Sequence, residues 1–157
     1  ALGIKTGYTR AAGRCLCFAA ERDGMTVIGC VLNAPNWFDD AKEIMDHGFA
    51  AYEMRTLLSP GEAVRALPVE KGVEEAVVIR AAKALTAPVK KGTWPEMIID
   101  LPDSVPAGIE KGQIVGTASL TDGGQVLATT VLYAGQTVPA PSFRTHITRL
   151  FDQWIIP

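Results

Sequence analysis

Asp23-Gly24 is a two-residue turn signal between two long apolar runs, Arg14–Arg22 and Met25–Leu32, and it constrains this chain more than any other stretch. A pair of this type favours a tight antiparallel hairpin. Its register is then fixed: Arg22 faces Met25, and counting back places Cys17 opposite Cys30. Neither arm alternates cleanly between apolar and polar. Leu16 and Phe18 interleave with Cys15, Cys17 and Ala19, and Val27, Ile28, Val31 and Leu32 run on without a polar break. Strands of this kind are covered on both faces. Phe38, Ala41, Met45, Phe49 and Tyr52 recur at helical spacing with Asp39, Lys42, Glu43 and Asp46 between them, which predicts one amphipathic helix over Trp37–Leu57. Gly48 is a candidate break in it. One helix covers one face, so a second layer is expected from a segment outside this chain, or from a second copy in a homo-oligomer.

Beyond Leu58-Ser59-Pro60-Gly61 the texture changes. Short β-type runs at Ala63–Val69, Glu75–Ile79, Glu96–Leu101, Ile114–Leu120 and Val126–Tyr133 are punctuated by Pro and Gly. Spacing near ten residues predicts a small antiparallel β-domain. From Ser142 to Pro157, Phe143, Ile147, Leu150, Phe151, Trp154 and Ile155 recur at helical spacing, with Arg144, His146, Arg149 and Asp152 opposite. This predicts an amphipathic helix suited to lying on a membrane surface, these six residues making the contact.

Composition removes several classes. With 48% hydrophobic and 20% charged residues the chain is globular. A net charge of −2 gives no basis for binding nucleic acid. No apolar run reaches the roughly 18 residues that span a bilayer. The three cysteines are too few for a disulfide scaffold. Directly opposed across strands, Cys17 and Cys30 bridge only with strain, so all three are expected as buried thiols packing like small hydrophobes. No Cys-x-x-Cys occurs and the two histidines are far apart in sequence, so no metal site and no cofactor are expected. His47 reads as an exposed helix residue.

At the amino end stands Gly3-Ile4-Lys5-Thr6-Gly7-Tyr8-Thr9. A Lys-Thr-Gly strand, followed by the hairpin and then the helix, resembles the closing part of the penicillin-recognising serine enzymes. Ala107-Gly108-Ile109-Glu110-Lys111-Gly112-Gln113-Ile114-Val115-Gly116 is similar to a segment of the β-domain that follows the peptidase domain in low-molecular-mass D-alanyl-D-alanine carboxypeptidases. The resemblance implies an α+β fragment, with the antiparallel strands and closing helix of a β-lactamase/transpeptidase-like domain over residues 1–58. It implies a sandwich-like β-domain over 59–141 and the amphipathic helix over 142–157.

It also implies a site. Lys5 would place a positive charge beside the substrate's terminal carboxylate and ease proton movement around a serine nucleophile. The Thr6 hydroxyl would bind that carboxylate. Gly7 would let the substrate approach the backbone, and the strand edge through Thr9 would pair with an extended peptide. The Tyr8 backbone N–H would be an oxyanion donor, worth roughly 3–4 kcal/mol of transition-state stabilisation. Many relatives carry an Arg at the position of Trp37. Either Arg10 or Arg14 replaces it here, or Lys5 and Thr6 suffice.

The family's other two motifs are missing. Lys does not stand three residues after Ser59, Ser104, Ser119 or Ser142, nor Asn two residues after them. The chain is therefore expected to be the carboxy-terminal part of a longer periplasmic or outer-face, peripheral-membrane enzyme. That enzyme would remove D-alanine from peptidoglycan stem peptides and be blocked by β-lactams, whereas this part alone would be inactive. A competing expectation is a non-enzymatic module. Val89-Lys90-Lys91-Gly92 and Lys111–Gly116 are similar to lipoyl-type carrier domains, but the clearest hairpin tip, Asp122-Gly123-Gly124, displays no lysine.

Overall fold

The computed structural model describes residues 1–141; the helix expected over 142–157, with its six membrane-facing residues, lies outside them. Two compact units divide the chain. One comprises Ala1–Arg55 with Ala87–Pro95, the other Thr56–Thr86 with the chain from Glu96 on. The division is interleaved rather than sequential: the segment from Ala87 returns to the first unit.

In the first unit Gly3–Thr9 (β1), Gly13–Arg22 (β2) and Met25–Val31 (β3) form a three-stranded antiparallel sheet in that order. Asp23 and Gly24 have φ of 52° and 76°, the pair of positive values that a type I′ turn requires. The register is the one counted from the sequence, with Arg22 opposite Met25 and Cys17 opposite Cys30.

One face of this sheet is covered by the helix Trp37–Ala51 (α1). Leu16, Phe18 and Val31 pack with Ala41, Trp37 and Met45, and Ala20 and Met25 pack with Phe49, Val27 and Met45. Asp39 and Asp40 in the first turn complement the helix dipole. Gly48 does not break the helix. A Cβ there would lie 3.1 Å from a Val27 methyl, so the missing side chain lets α1 approach β3 closely.

The helix is shorter than its periodicity predicts. It ends at Ala51, and Tyr52–Leu58 is a strand (β4) paired with Leu85–Lys90 (β7). The carbonyls left unpaired at a helix C-terminus need donors. Lys91 supplies two, from its backbone N–H to Ala51 O at 2.8 Å and from its Nζ to Phe49 O at 2.8 Å. Thr56 and Thr86 join the two strands through their hydroxyls at 2.8 Å. Phe38 also departs from the expected stripe: it is 61% exposed.

The second unit holds the β-domain. Ala63–Glu70 (β5), Ala76–Ala81 (β6), Glu96–Asp100 (β8), Val105–Pro106 (β9), Ile114–Asp122 (β10) and Gln125–Ala134 (β11) form a six-stranded sheet in the order β8-β10-β11-β6-β5-β9. All the pairs are antiparallel except β5 with β9. Period-two alternation turns one face inward. Val77, Ile79 and Ala81 on β6, Ala118 and Leu120 on β10, and Leu132 and Ala134 on β11 are fully buried, with Leu67, Leu85 and Val138 around them. Among the described residues, no helix is long and apolar enough to cross a membrane.

Candidate functional site

Strand β1 is an edge. It pairs with β2 on one side only, with Lys5 opposite Cys17, Thr6 opposite Leu16, Gly7 opposite Cys15, Tyr8 opposite Arg14 and Thr9 opposite Gly13. All seven of its residues are exposed. Strand parity fixes which of its backbone groups are free. A two-residue turn makes Arg22 and Met25 a hydrogen-bonded pair, and such pairs alternate along the ladder. Even-numbered residues of β2 therefore direct their backbone groups at β3, and odd-numbered ones direct theirs at β1. The bond from Leu2 N–H to Ala19 O, 2.7 Å, agrees with this. Lys5 and Gly7, opposite Cys17 and Cys15, spend their N–H and C=O groups on β2. Ile4, Thr6 and Tyr8 turn theirs outward, to the edge that no described strand occupies. The Tyr8 N–H thus belongs to the open edge.

The side chains of β1 separate by face. Thr6 lies on the helix side, with Leu16 and Val31 in line behind it. Beside it an apolar groove of 480 Å³ runs between β1, β2 and α1, lined by Ile4, Thr6, Leu16, Phe18, Phe38 and Met45 among others. The exposed Phe38 ring is part of its wall. Lys5 lies on the opposite face, and among the described residues its ammonium has no ion-pair partner.

Thr9 and Arg14, also named for the expected site, are engaged locally. The Thr9 hydroxyl accepts the Ala12 N–H at 2.9 Å and closes the β1–β2 turn. Arg14 donates to Pro35 O at 3.0 Å, and its guanidinium lies 5.9 Å from the Trp37 ring centroid. Arg10 and His47 are exposed. The Ser104 hydroxyl bonds the Glu70 carboxylate, and that of Ser119 pairs with Thr129 at 3.0 Å.

The cysteines overturn the expectation of buried thiols. Cys17 and Cys30 are exposed and Cys15 is half-buried. They sit on the face that α1 does not cover, where Ile28 is 72% exposed. Burial of a doubly apolar strand depends on a second layer, and no described element provides one. The Cys30 thiol is pushed above its ordinary range, first by its hydrogen bond with Cys17, then by desolvation and by the negative charge Cys17 and Cys15 can carry. A raised value means that the proton is held to higher pH. In Cys17→Ala the main cause is gone, so alkylation of Cys30 by iodoacetamide should reach half its limiting rate at a lower pH than in the native sequence. An unchanged or higher midpoint would contradict the hydrogen bond.

Sequence reasoning missed one further cluster. The Arg55 guanidinium stacks 4.1 Å from the centroid of the exposed Trp94 ring and pairs with Glu53. Nothing local links positions so distant in sequence; only the pairing of β4 with β7 brings them together.

Comparison with known proteins gives the class. The model of the family "Penicillin-binding protein 5, C-terminal domain" matches residues 52–140, more than half of the chain, and the chain belongs to that family. Over 158 aligned residues it is 28% identical to D-alanyl-D-alanine carboxypeptidase DacF of Bacillus subtilis (strain 168), covering 97% of this chain and 41% of that protein. A 53-residue stretch is 51% identical to the D-alanyl-D-alanine carboxypeptidase of Streptomyces sp. (strain K15), covering 32% of this chain and 18% of that one. Among solved structures, penicillin-binding protein 5 from Haemophilus influenzae superposes with a TM-score of 0.65 at 25% identity, over 87% of this chain and 42% of that chain. This chain therefore spans well under half the length of each of these relatives.

Proposed function

We propose that the protein carrying this chain is a serine-type D-alanyl-D-alanine carboxypeptidase, and that β1 is the edge on which its substrate lies. The observation that carries the reading is the placement of Lys5-Thr6-Gly7 in the middle of an exposed edge strand, with Tyr8 next along it. An extended peptide adds to such an edge by backbone pairing, using the outward groups of Thr6 and Tyr8. The Tyr8 N–H donates to the carbonyl oxygen as it gains negative charge. The substrate's end crosses the strand edge, so that the Thr6 hydroxyl on the helix side bonds the terminal carboxylate while Lys5, on the other face, attracts it by charge.

In this reading a serine hydroxyl supplied by a segment outside this chain attacks the carbonyl of the terminal peptide bond. Its proton passes to the leaving D-alanine amine, and water then hydrolyses the ester. β-Lactams enter as mimics of the D-alanyl-D-alanine end and are attacked at the same carbonyl. No metal or cofactor is required. The protein would work outside the cytoplasm on peptidoglycan stem pentapeptides, held at the membrane surface by residues 142–157.

The test is a comparison of two lengths of chain. The 157 residues alone should form no covalent adduct with a fluorescent penicillin and release no D-alanine from a model pentapeptide, because none of their serines stands in a Ser-x-x-Lys or Ser-x-Asn context. A longer form with both contexts upstream should do both. A labelled band from the 157 residues, or an unlabelled longer form, would overturn the reading.

A further inference from the structure

The thiols of Cys17 and Cys30 are in contact, Sγ to Sγ at 3.1 Å, and both residues are exposed. The same parity that frees the Tyr8 N–H makes this a non-hydrogen-bonded pair, since Cys17 directs its backbone groups at β1. Side chains approach most closely at such positions, with Cα atoms about 4.5 Å apart, just inside the range that disulfides span. Closing the bond needs the sulfurs to approach by about 1 Å, which side-chain rotation can supply. Cys15 is placed differently: it is half-buried, and its thiol lies 3.6 Å from the Ala12 carbonyl in the β1–β2 turn.

We propose that Cys17 and Cys30 form a redox pair that closes to a disulfide across the β2–β3 hairpin and reopens under a thiol reductant. The oxidant is itself a disulfide of low molecular mass. The thiolate of one cysteine attacks a sulfur of that disulfide, forming a mixed disulfide and releasing one thiolate. The second cysteine then attacks the bonded protein sulfur and releases the other. The two cysteines lose two electrons, the incoming disulfide gains them, and the two thiol protons end on the released thiols. In the 157-residue chain no described element covers the two sulfurs, so the bond is open there to the reverse reaction, as for labile rather than structural disulfides. Lys5, Cys17 and Cys30 occupy one row across the sheet, on one face. The bond would therefore clamp the hairpin directly beside the strand that carries Lys5. This inference stands on the register and the thiol contact, and does not depend on the carboxypeptidase reading.

The experiment treats the native 157-residue chain with glutathione disulfide, quenches in acid, blocks the remaining thiols with N-ethylmaleimide and maps peptides by mass. The expected product has lost two of three reactive thiols, carries no glutathione and has lost about 2 Da. It links Cys17 to Cys30, and dithiothreitol restores all three thiols. Links containing Cys15 should be rarer by roughly tenfold or more, because only the Cys17–Cys30 sulfurs are already in contact. The same chain in urea should lose that preference, and Cys15→Ser should leave the native product unchanged. Glutathione retained on separate cysteines, a preferred link to Cys15, or a native chain that stays reduced while the unfolded chain oxidises would each overturn the proposal.

Discussion

Lys5→Ala, made in the longer protein that carries this chain, is expected to lower the second-order rate of acylation by a penicillin roughly a hundredfold or more, about 3 kcal/mol of transition-state stabilisation. Lys5 sits on an exposed edge strand without an ion-pair partner among the described residues, so its charge is available to a ligand rather than spent on the fold. Removing it takes away both the attraction for the terminal carboxylate and the help to proton transfer. Lys5→Arg separates the two. It keeps the charge and should recover some carboxylate binding, but little of the acylation rate, because a guanidinium stays protonated and presents a wider fork. Thermal midpoints should be measured beside the rates, since β1 is also a strand of the sheet. An Ala variant that keeps the parent midpoint and acylates within threefold of the parent would remove Lys5 from the site.

The second large effect lies in the β-domain and concerns stability alone. Gly116→Ala should cost about 2–3 kcal/mol, in the range of overpacked buried sites. The φ angle of Gly116 is not in the left-handed region, so conformation is not the cause. A Cβ there would stand 2.1 Å from the Asp100 carbonyl oxygen and 2.9 Å from a Leu101 methyl. The nearer atom is backbone, and it belongs to the strand paired with β10. It moves only if β8 moves. Gly112→Ala is the contrasting case: its φ is +89° but nothing lies within 4 Å, so only the left-handed backbone is penalised, by about 1 kcal/mol. If Gly116→Ala melts within 2 or 3 °C of the parent, against the roughly 8–24 °C that this cost implies, β8 does not approach β10 as described.

How much of this could be read in advance depended on whether the signal was local. Asp23-Gly24 specified its own turn, and with it every pair along β2 and β3. The outward direction of the Tyr8 N–H needs in addition the register of β1 on β2, which no two-residue turn fixes and which only the structure supplies. The strands of the β-domain were legible because Pro and Gly mark their ends. The end of α1 was not, because apolar residues continue at helical spacing through Tyr52, and what stops the helix is Lys91, almost forty residues on. Strand β7 was hidden by Pro88, which reads as a strand breaker but is tolerated where a strand has one partner. The thiols were misjudged because apolar sequence reports what a strand can be covered by, not whether the cover is present. The contacts of Arg14 with Pro35 and Trp37, and of Arg55 with Trp94, are tertiary and left no pattern.

The return of Ala87–Pro95 to the first unit has a consequence for synthesis. On the ribosome Ala1–Arg55 emerges before Ala87–Pro95, and the whole of Thr56–Thr86 must be made before that piece appears. At ordinary elongation rates the interval is about 2–6 s. Throughout it Tyr52–Leu58 lacks the strand that will pair with it, and the Phe49 and Ala51 carbonyls lack Lys91. The nascent chain thus passes through a stage at which a short unpaired strand stands open beside a frayed helix end, and a chaperone that shields strand edges would find its window there.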